Sequence, residues 1–199
     1  MMVSWESWLP EFLLVGCLTS FSWAMCSFFT QPVGHTTGTR LIAFCGAMFG
    51  AQHLYVILFG STLTAERSVA GSVLYIGSAG LFWWAIKTSL TNPLSAAFSP
   101  DLPTHLVAHG PYRIIRHPLY CSYLICWLAG WLVTASLWLT PSVAVMFIIY
   151  LLAAAQEEQK FTRSPLTNAY QQYRSRTGLL VPGPLKLLSI WRDNHGGNL

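Results

Sequence analysis

The chain has 199 residues, 53% of them hydrophobic and only 9% charged, with a formal net charge of +4. A soluble domain carries about 25% charged residues, so an ordinary soluble enzyme is excluded and a polytopic membrane protein is indicated. The basic residues are scattered among apolar runs rather than gathered into a stripe, which argues against nucleic acid as a partner.

Taken in order, the first apolar run covers roughly 12–29. It lacks a basic leader and a small-residue cleavage site, and so reads as a retained span. Gln31 to Gly38 breaks it as a loop. A second span covers about 41–59, and Ser61 to Arg67 forms a short polar turn. A third covers about 69–86. A long connection follows, 87–117, with Asn92-Pro93 and Ser99-Pro100-Asp101-Leu102-Pro103 inside it. The fourth span runs from Pro118 to about Trp138, Thr140-Pro141 makes a tight turn, and the fifth span, the shortest, ends near Ala155. These lengths suit a hydrocarbon core about 30 Å thick. The expected fold is an all-α integral membrane protein of about five transmembrane helices in a single membrane domain. Three N-terminal spans occupy 1–90, a loop, hairpin and tail occupy 91–182, and an extension occupies 183–199, frayed at its end.

Charge sets the expected orientation. With the N-terminus outside, ten of the eleven Lys and Arg fall in inner segments and only Arg67 lies outside. That satisfies the positive-inside rule and places the long connection and the tail in the cytoplasm. The five cysteines all sit within apolar runs and read as small core residues; no metal-ligand spacing appears.

The stretch His109-Gly110-Pro111-Tyr112-Arg113-Ile114-Ile115-Arg116-His117-Pro118-Leu119-Tyr120 stands apart. Polar and titratable side chains cluster there, directly before an apolar run, and such a cluster at a membrane boundary implies a task. Pro118 suits the first position of a helix, and His117 before it is pushed toward extended geometry. Spans four and five are joined by a short turn and must be antiparallel neighbours. At about 1.5 Å per residue, Glu157 and Glu158 return to the level of His117 and Tyr120. The hairpin therefore predicts a pocket with cations on one wall and carboxylates on the other, suited to a zwitterionic ligand. Adjacent helical residues point about 100° apart, so only one glutamate is expected to face span four.

Thr104-His105-Leu106-Val107-Ala108-His109-Gly110-Pro111-Tyr112, then Arg116-His117-Pro118-Leu119-Tyr120, then Glu157-Glu158, then Tyr170-Gln171-Gln172-Tyr173, resemble isoprenylcysteine carboxyl methyltransferases and their bacterial and archaeal relatives. The resemblance covers roughly Thr104 to Pro182; the first three spans show no motif. It implies S-adenosylmethionine as methyl donor, bound on the cytoplasmic side between the last two spans and the tail. Carried over, Thr104, His105, Leu106, Val107, Gly110 and Tyr112 would line the cofactor pocket. His117, Pro118, Leu119 and Tyr120 would hold the methionine end or the adenosine, and one of Glu157 and Glu158 a polar group of the cofactor. Arg116, Glu157 and Glu158 would be the catalytic set. Ser122 stands where the family often has Gly, Leu166-Thr167 where it has Phe-Gly, and Ala153 where the eukaryotic enzymes have a substrate-binding Arg. The last departure bears on the acceptor more than on the cofactor.

Methyl transfer from a sulfonium to a carboxylate or thiolate needs orientation and desolvation rather than a dedicated base. That agrees with a sequence lacking a Ser-His-Asp set. The expected partners are a lipophilic small-molecule acceptor and membrane lipids, without nucleic acid or metal. An isoprenylcysteine-like carboxylate is the leading acceptor, with a phospholipid amine or a small thiol as alternatives. A sterol-reductase-like NADPH enzyme is a second class, disfavoured by the short chain. A non-enzymatic transporter or scaffold ranks last, because spans four and five hold no charge before Gln156. Several residues also have plain readings. Tyr123 reads as an interfacial belt residue, His109 as a loop histidine and the nine Trp as interface anchors. Gln52 and His53 read either as an internal hydrogen-bonding pair or as part of a substrate path.

Overall fold

A computed structural model describes residues 5–29, 36–60 and 63–183. Parts of the Gln31–Gly38 loop and of the Ser61–Arg67 turn, and the extension from 184 onward with Lys186 and Arg192, lie outside the described residues.

The described chain is helical. Helix α1, Trp5–Trp23, closes in a π-turn at Ala24–Phe28, and α2, Thr37–Tyr55, does so at Val56–Gly60. Helix α3 is Ala65–Ser89, α4 is Pro118–Thr134, α5 is Thr140–Thr162 and α6 is Thr167–Arg176. Polar caps start the second and third helices: the Thr36 hydroxyl accepts from the Thr39 N–H and that of Thr64 from the Arg67 N–H. Among the described residues, four helices are long and apolar enough to cross a membrane, and Pro118–Thr134 is a shorter apolar fifth.

The hairpin differs from its sequence reading in where it turns. Helix α4 stops at Thr134 because Ala135 takes a left-handed conformation, with φ 47°, and its N–H closes on the Trp131 carbonyl. Leu137–Leu139 forms a 3-10 turn that leads straight into α5. Span four is therefore the shortest, at 17 residues, and α5 runs 23 residues to Thr162 rather than ending near Ala155. Gln156 to Lys160 are good helix formers and carry the helix onward, so Glu157 and Glu158 sit inside it rather than at its end.

Helix α3 packs chiefly on α4 and α1. One apolar cluster joins α2, α4 and α5 around Trp127, Met146 and Tyr150; another joins α1, α3 and α4 around Tyr75, Cys126 and Val133. Outward faces carry Phe44, Phe59, Val73, Ile76, Leu137 and Trp138, as lipid contact requires. Trp127 is an exception to the anchor reading: it is buried and donates to the Tyr150 hydroxyl at 3.4 Å.

Gln52 and His53 do not pair with each other; each bonds to the hairpin, and neither lines the cavity described below. Gln52 Nε2 donates to the Trp138 carbonyl at 2.9 Å, tying α2 to the hairpin turn. His53, fully buried, shares a hydrogen bond of 3.0 Å between Nε2 and Ser142 Oγ and meets the Trp127 ring edge-on. Gly130 makes room for this. A Cβ there would meet His53 Nδ1 at 2.3 Å and the Tyr75 hydroxyl at 2.9 Å. Cys17, Cys45 and Cys126 are buried free thiols, whereas Cys26 is exposed and Cys121 half-buried.

Candidate functional site

The site is built where the connection after α3 meets the hairpin. Gly110 turns with φ +57° against Thr88, where a Cβ would lie 2.5 Å from Thr88 Oγ1. A 3-10 turn over Gly110–Arg113 follows. The Pro111 carbonyl accepts both the Ile114 and Ile115 N–H groups, and the chain then opens into α4 at Pro118. His117 precedes it with φ −123°.

The tail straps onto this segment. Ile115 and Gly178 form a parallel β-bridge. The Arg116 N–H donates to the Gly178 carbonyl at 2.8 Å and the His117 N–H to that of Leu179 at 3.2 Å. Tyr173 Oη donates to the Tyr112 carbonyl at 2.7 Å, and the Phe161 and Tyr170 rings stack with centroids 4.5 Å apart. Helix α6 thus rests on the 112–117 segment and on the end of α5.

The two glutamates return to the level of His117, as the hairpin lengths require, and Glu157 is the one that contacts α4 itself, at Tyr120. Glu157 accepts from the Tyr120 hydroxyl and lies 3.5 Å from His117 Nδ1. Glu158 accepts from Arg116 Nε at 2.6 Å and approaches His117 Nε2 at 3.7 Å and Arg174 Nε at 3.6 Å. Pointing about 100° apart, Glu157 turns to Tyr120 while Glu158 meets Arg116 and the tail, with His117 near both. Arg116 Nη1 also donates to the Thr177 carbonyl and, at 3.3 Å, to that of Arg174. Burial by itself lowers the His117 pKa, but the two carboxylates outweigh it and hold the imidazole above its ordinary value. Burial likewise raises the Tyr170 and Tyr173 phenols.

A cavity of about 640 Å³ opens among these elements. Of the positions singled out from the sequence, Thr104, His105, Leu106, Val107, Tyr112 and Arg116 line it. So do His117, Pro118, Leu119, Tyr120 and Glu157. Gly110 and Glu158 do not: Gly110 supplies a turn, and Glu158 braces Arg116 and the tail. His105 is held by its Nε2 contact with the Asn92 carbonyl at 3.2 Å.

The cavity also takes walls that carry no motif. Met25, Phe29 and Ile42 bring α1 and α2 to it as an apolar side. Tyr123 is a lining residue rather than a belt residue; its ring meets Phe21 edge-on at 4.6 Å and Tyr150 at 5.4 Å. Tyr150, Lys160 and Phe161 also line it. A periodicity argument offers one signal for the last two: Lys160 and Phe161 follow Glu157 by three and four residues and share its helix face.

Comparison with known proteins bears on what this arrangement does. A family model described as phospholipid methyltransferase matches residues 66–169, just over half of the chain and including α3, the hairpin and the glutamate pair. A methanethiol S-methyltransferase from Pseudomonas sp. strain GM41 is 37% identical over 78 residues, covering 36% of this chain and 26% of that relative. The chain thus spans about a quarter of the length of the curated relative it matches. Both names describe methyltransferases, so the resemblance to isoprenylcysteine enzymes is met at the level of membrane methyltransferases. With its apolar helices and a match that takes in the whole charged hairpin, the chain belongs to the phospholipid methyltransferase family and is built as an integral membrane protein.

Proposed function

We propose that the chain transfers the methyl group of S-adenosylmethionine to an apolar acceptor held in the same cavity. The observation that carries this reading is the joining of a charged pole, His117 and Glu157, to an apolar wall from α1 and α2 within one space. The residues fit the donor. Its amino-acid end carries an ammonium and a carboxylate. Glu157 offers a carboxylate to the first, and His117, whose pKa its two carboxylate neighbours raise, offers a ring N–H to the second. When bound, S-adenosylmethionine would supply a methyl carbon made electrophilic by its sulfonium, to be passed to the acceptor's lone pair with the C–S electron pair left on sulfur.

The chain's own work is then binding, orientation and exclusion of water. Thr104 to Val107 and Tyr112 would line the cofactor's side. Tyr120 fixes the Glu157 carboxylate. Arg116 and Glu158 act as positioning residues that hold α6 across the cavity, rather than as groups at the reacting atoms. The acceptor we favour presents an anionic nucleophile, a carboxylate as in an isoprenylcysteine-like compound or a thiolate like that of methanethiol, because such a group needs no base. A phospholipid amine is the second reading, favoured by the family description. The positive-inside count supports a cytoplasmic position for the charged pole.

Calorimetry tests the cofactor. S-adenosylhomocysteine added to the protein in nanodiscs should bind in the micromolar range, on the order of −8 kcal/mol, and NADPH should give no heat. Binding of NADPH with none of S-adenosylhomocysteine would replace this reading by the reductase.

A further inference from the structure

We infer that Lys160 binds the anionic group of the methyl acceptor and so selects acceptors by charge. The inference rests on the methyl-transfer reading of the cavity, and it concerns a residue that the motif leaves aside.

Among the described residues, three cationic side chains line the cavity: Arg116, His117 and Lys160. Two of them are paired with carboxylates. Arg116 spends Nε on Glu158 and Nη1 on the carbonyls of Thr177 and Arg174. His117 lies between Glu157 and Glu158. Lys160 differs. Among the described residues its ammonium makes one hydrogen bond, to the Ser99 carbonyl at 2.7 Å, and no carboxylate lies within ion-pair distance. An ammonium has three N–H donors, so two remain beside the cavity.

The carboxylates in its neighbourhood, Asp101 and Glu157, are engaged elsewhere. Asp101 accepts from the Ser99 hydroxyl, and Glu157 accepts from Tyr120 and faces His117. A half-buried cation with a single neutral partner is costly at a membrane boundary and calls for a ligand. The charged pole around His117 already balances cations against carboxylates and suits a zwitterion. Lys160 adds an ammonium that no carboxylate among the described residues contacts, one helical turn beyond Glu157 and on the side of the 99–104 loop. It therefore matches a ligand with one negative charge and an apolar body. Methyl transfer to such a group removes the charge, so the neutral product loses its hold on Lys160 and leaves.

The test uses the full chain in phosphatidylcholine nanodiscs, with empty nanodiscs subtracted. Equilibrium binding is measured for radiolabelled decanoate and for methyl decanoate, with and without saturating S-adenosylhomocysteine. The parent should hold decanoate about ten- to hundredfold more tightly than the ester. Lys160→Gln should abolish that preference while keeping its affinity for the ester and for S-adenosylhomocysteine, and Lys160→Arg should retain most of it. Decyl phosphate and decanethiol in parallel arms distinguish a phosphate-bearing head from a carboxylate or a thiolate. A parent that binds decanoate and its ester equally overturns the inference without recourse to any variant. So does a Lys160→Gln protein that loses S-adenosylhomocysteine instead of decanoate, which would assign Lys160 to the donor. Failure of the cofactor reading shows separately, as absent S-adenosylhomocysteine binding by the parent in the same samples.

Discussion

Replacing Glu158 by Gln should loosen the tail strap by a measurable and localised amount. Glu158 is the carboxylate that Arg116, Arg174 and His117 share, at 2.6, 3.6 and 3.7 Å, and its side chain is only 12% exposed. The amide keeps an acceptor for Arg116 Nε but removes the charge. A hydrogen bond to a charged group contributes about 1.5–3 kcal/mol, and part of it survives in the amide, so a loss of about 2 kcal/mol is expected. Arg174 is exposed, and its contact adds little. If the strap opens locally, 2 kcal/mol raises its open population roughly thirtyfold. The amides that report this are those of Arg116, His117 and Gly178, which bond to the Gly178, Leu179 and Ile114 carbonyls. Hydrogen exchange should accelerate at these three and remain unchanged in the cores of α3 and α4. A double-mutant cycle with Arg116→Gln should return a coupling above about 0.5 kcal/mol. Unchanged exchange at all three amides, or additive single effects, would refute the strap.

Three further outcomes follow from the same geometry. His117 stands above its ordinary pKa through Glu157 and Glu158, so its contribution is fully present below the unfolded value of 6.5 and is lost as pH rises through the higher folded one; the parent's melting temperature should fall over that window, and that of His117→Gln should change less. Gly130→Ala places a methyl against His53 Nδ1 and the Tyr75 hydroxyl, and overpacking of this kind costs about 1–3 kcal/mol; denaturation that matches the parent would show that α2 and α4 can move apart freely. Cysteine labelling should place Glu66 and Arg113 on opposite sides of the bilayer, and labelling of both from one side would overturn the five-helix topology.

Much was legible in the residues themselves. Five long apolar runs in a chain poor in charge can only be helices in lipid, because every backbone polar group must be satisfied within its own segment. Pro118 marked the start of α4, since its ring and missing N–H suit a helix's first turn. The short turn after α4, with the rise per residue, brought Glu157 to His117 without any knowledge of packing. What the one-dimensional pattern left open was decided by long-range contacts. Ala135 ends α4 early by a left-handed cap that no local signal marks, alanine being a good helix former. The two glutamates divide their tasks because Arg116 is held by carbonyls some sixty residues away, at Arg174 and Thr177, which turns Glu158 toward the tail and leaves Glu157 at the cavity. Met25, Phe29, Ile42 and Tyr123 look like any lipid-facing residues in sequence, since a helix in lipid is apolar on every side and its periodicity does not say which face meets a neighbour. Only the assembled bundle turns those four toward one cavity, where apolar side chains contribute shape, and shape comes from tertiary packing.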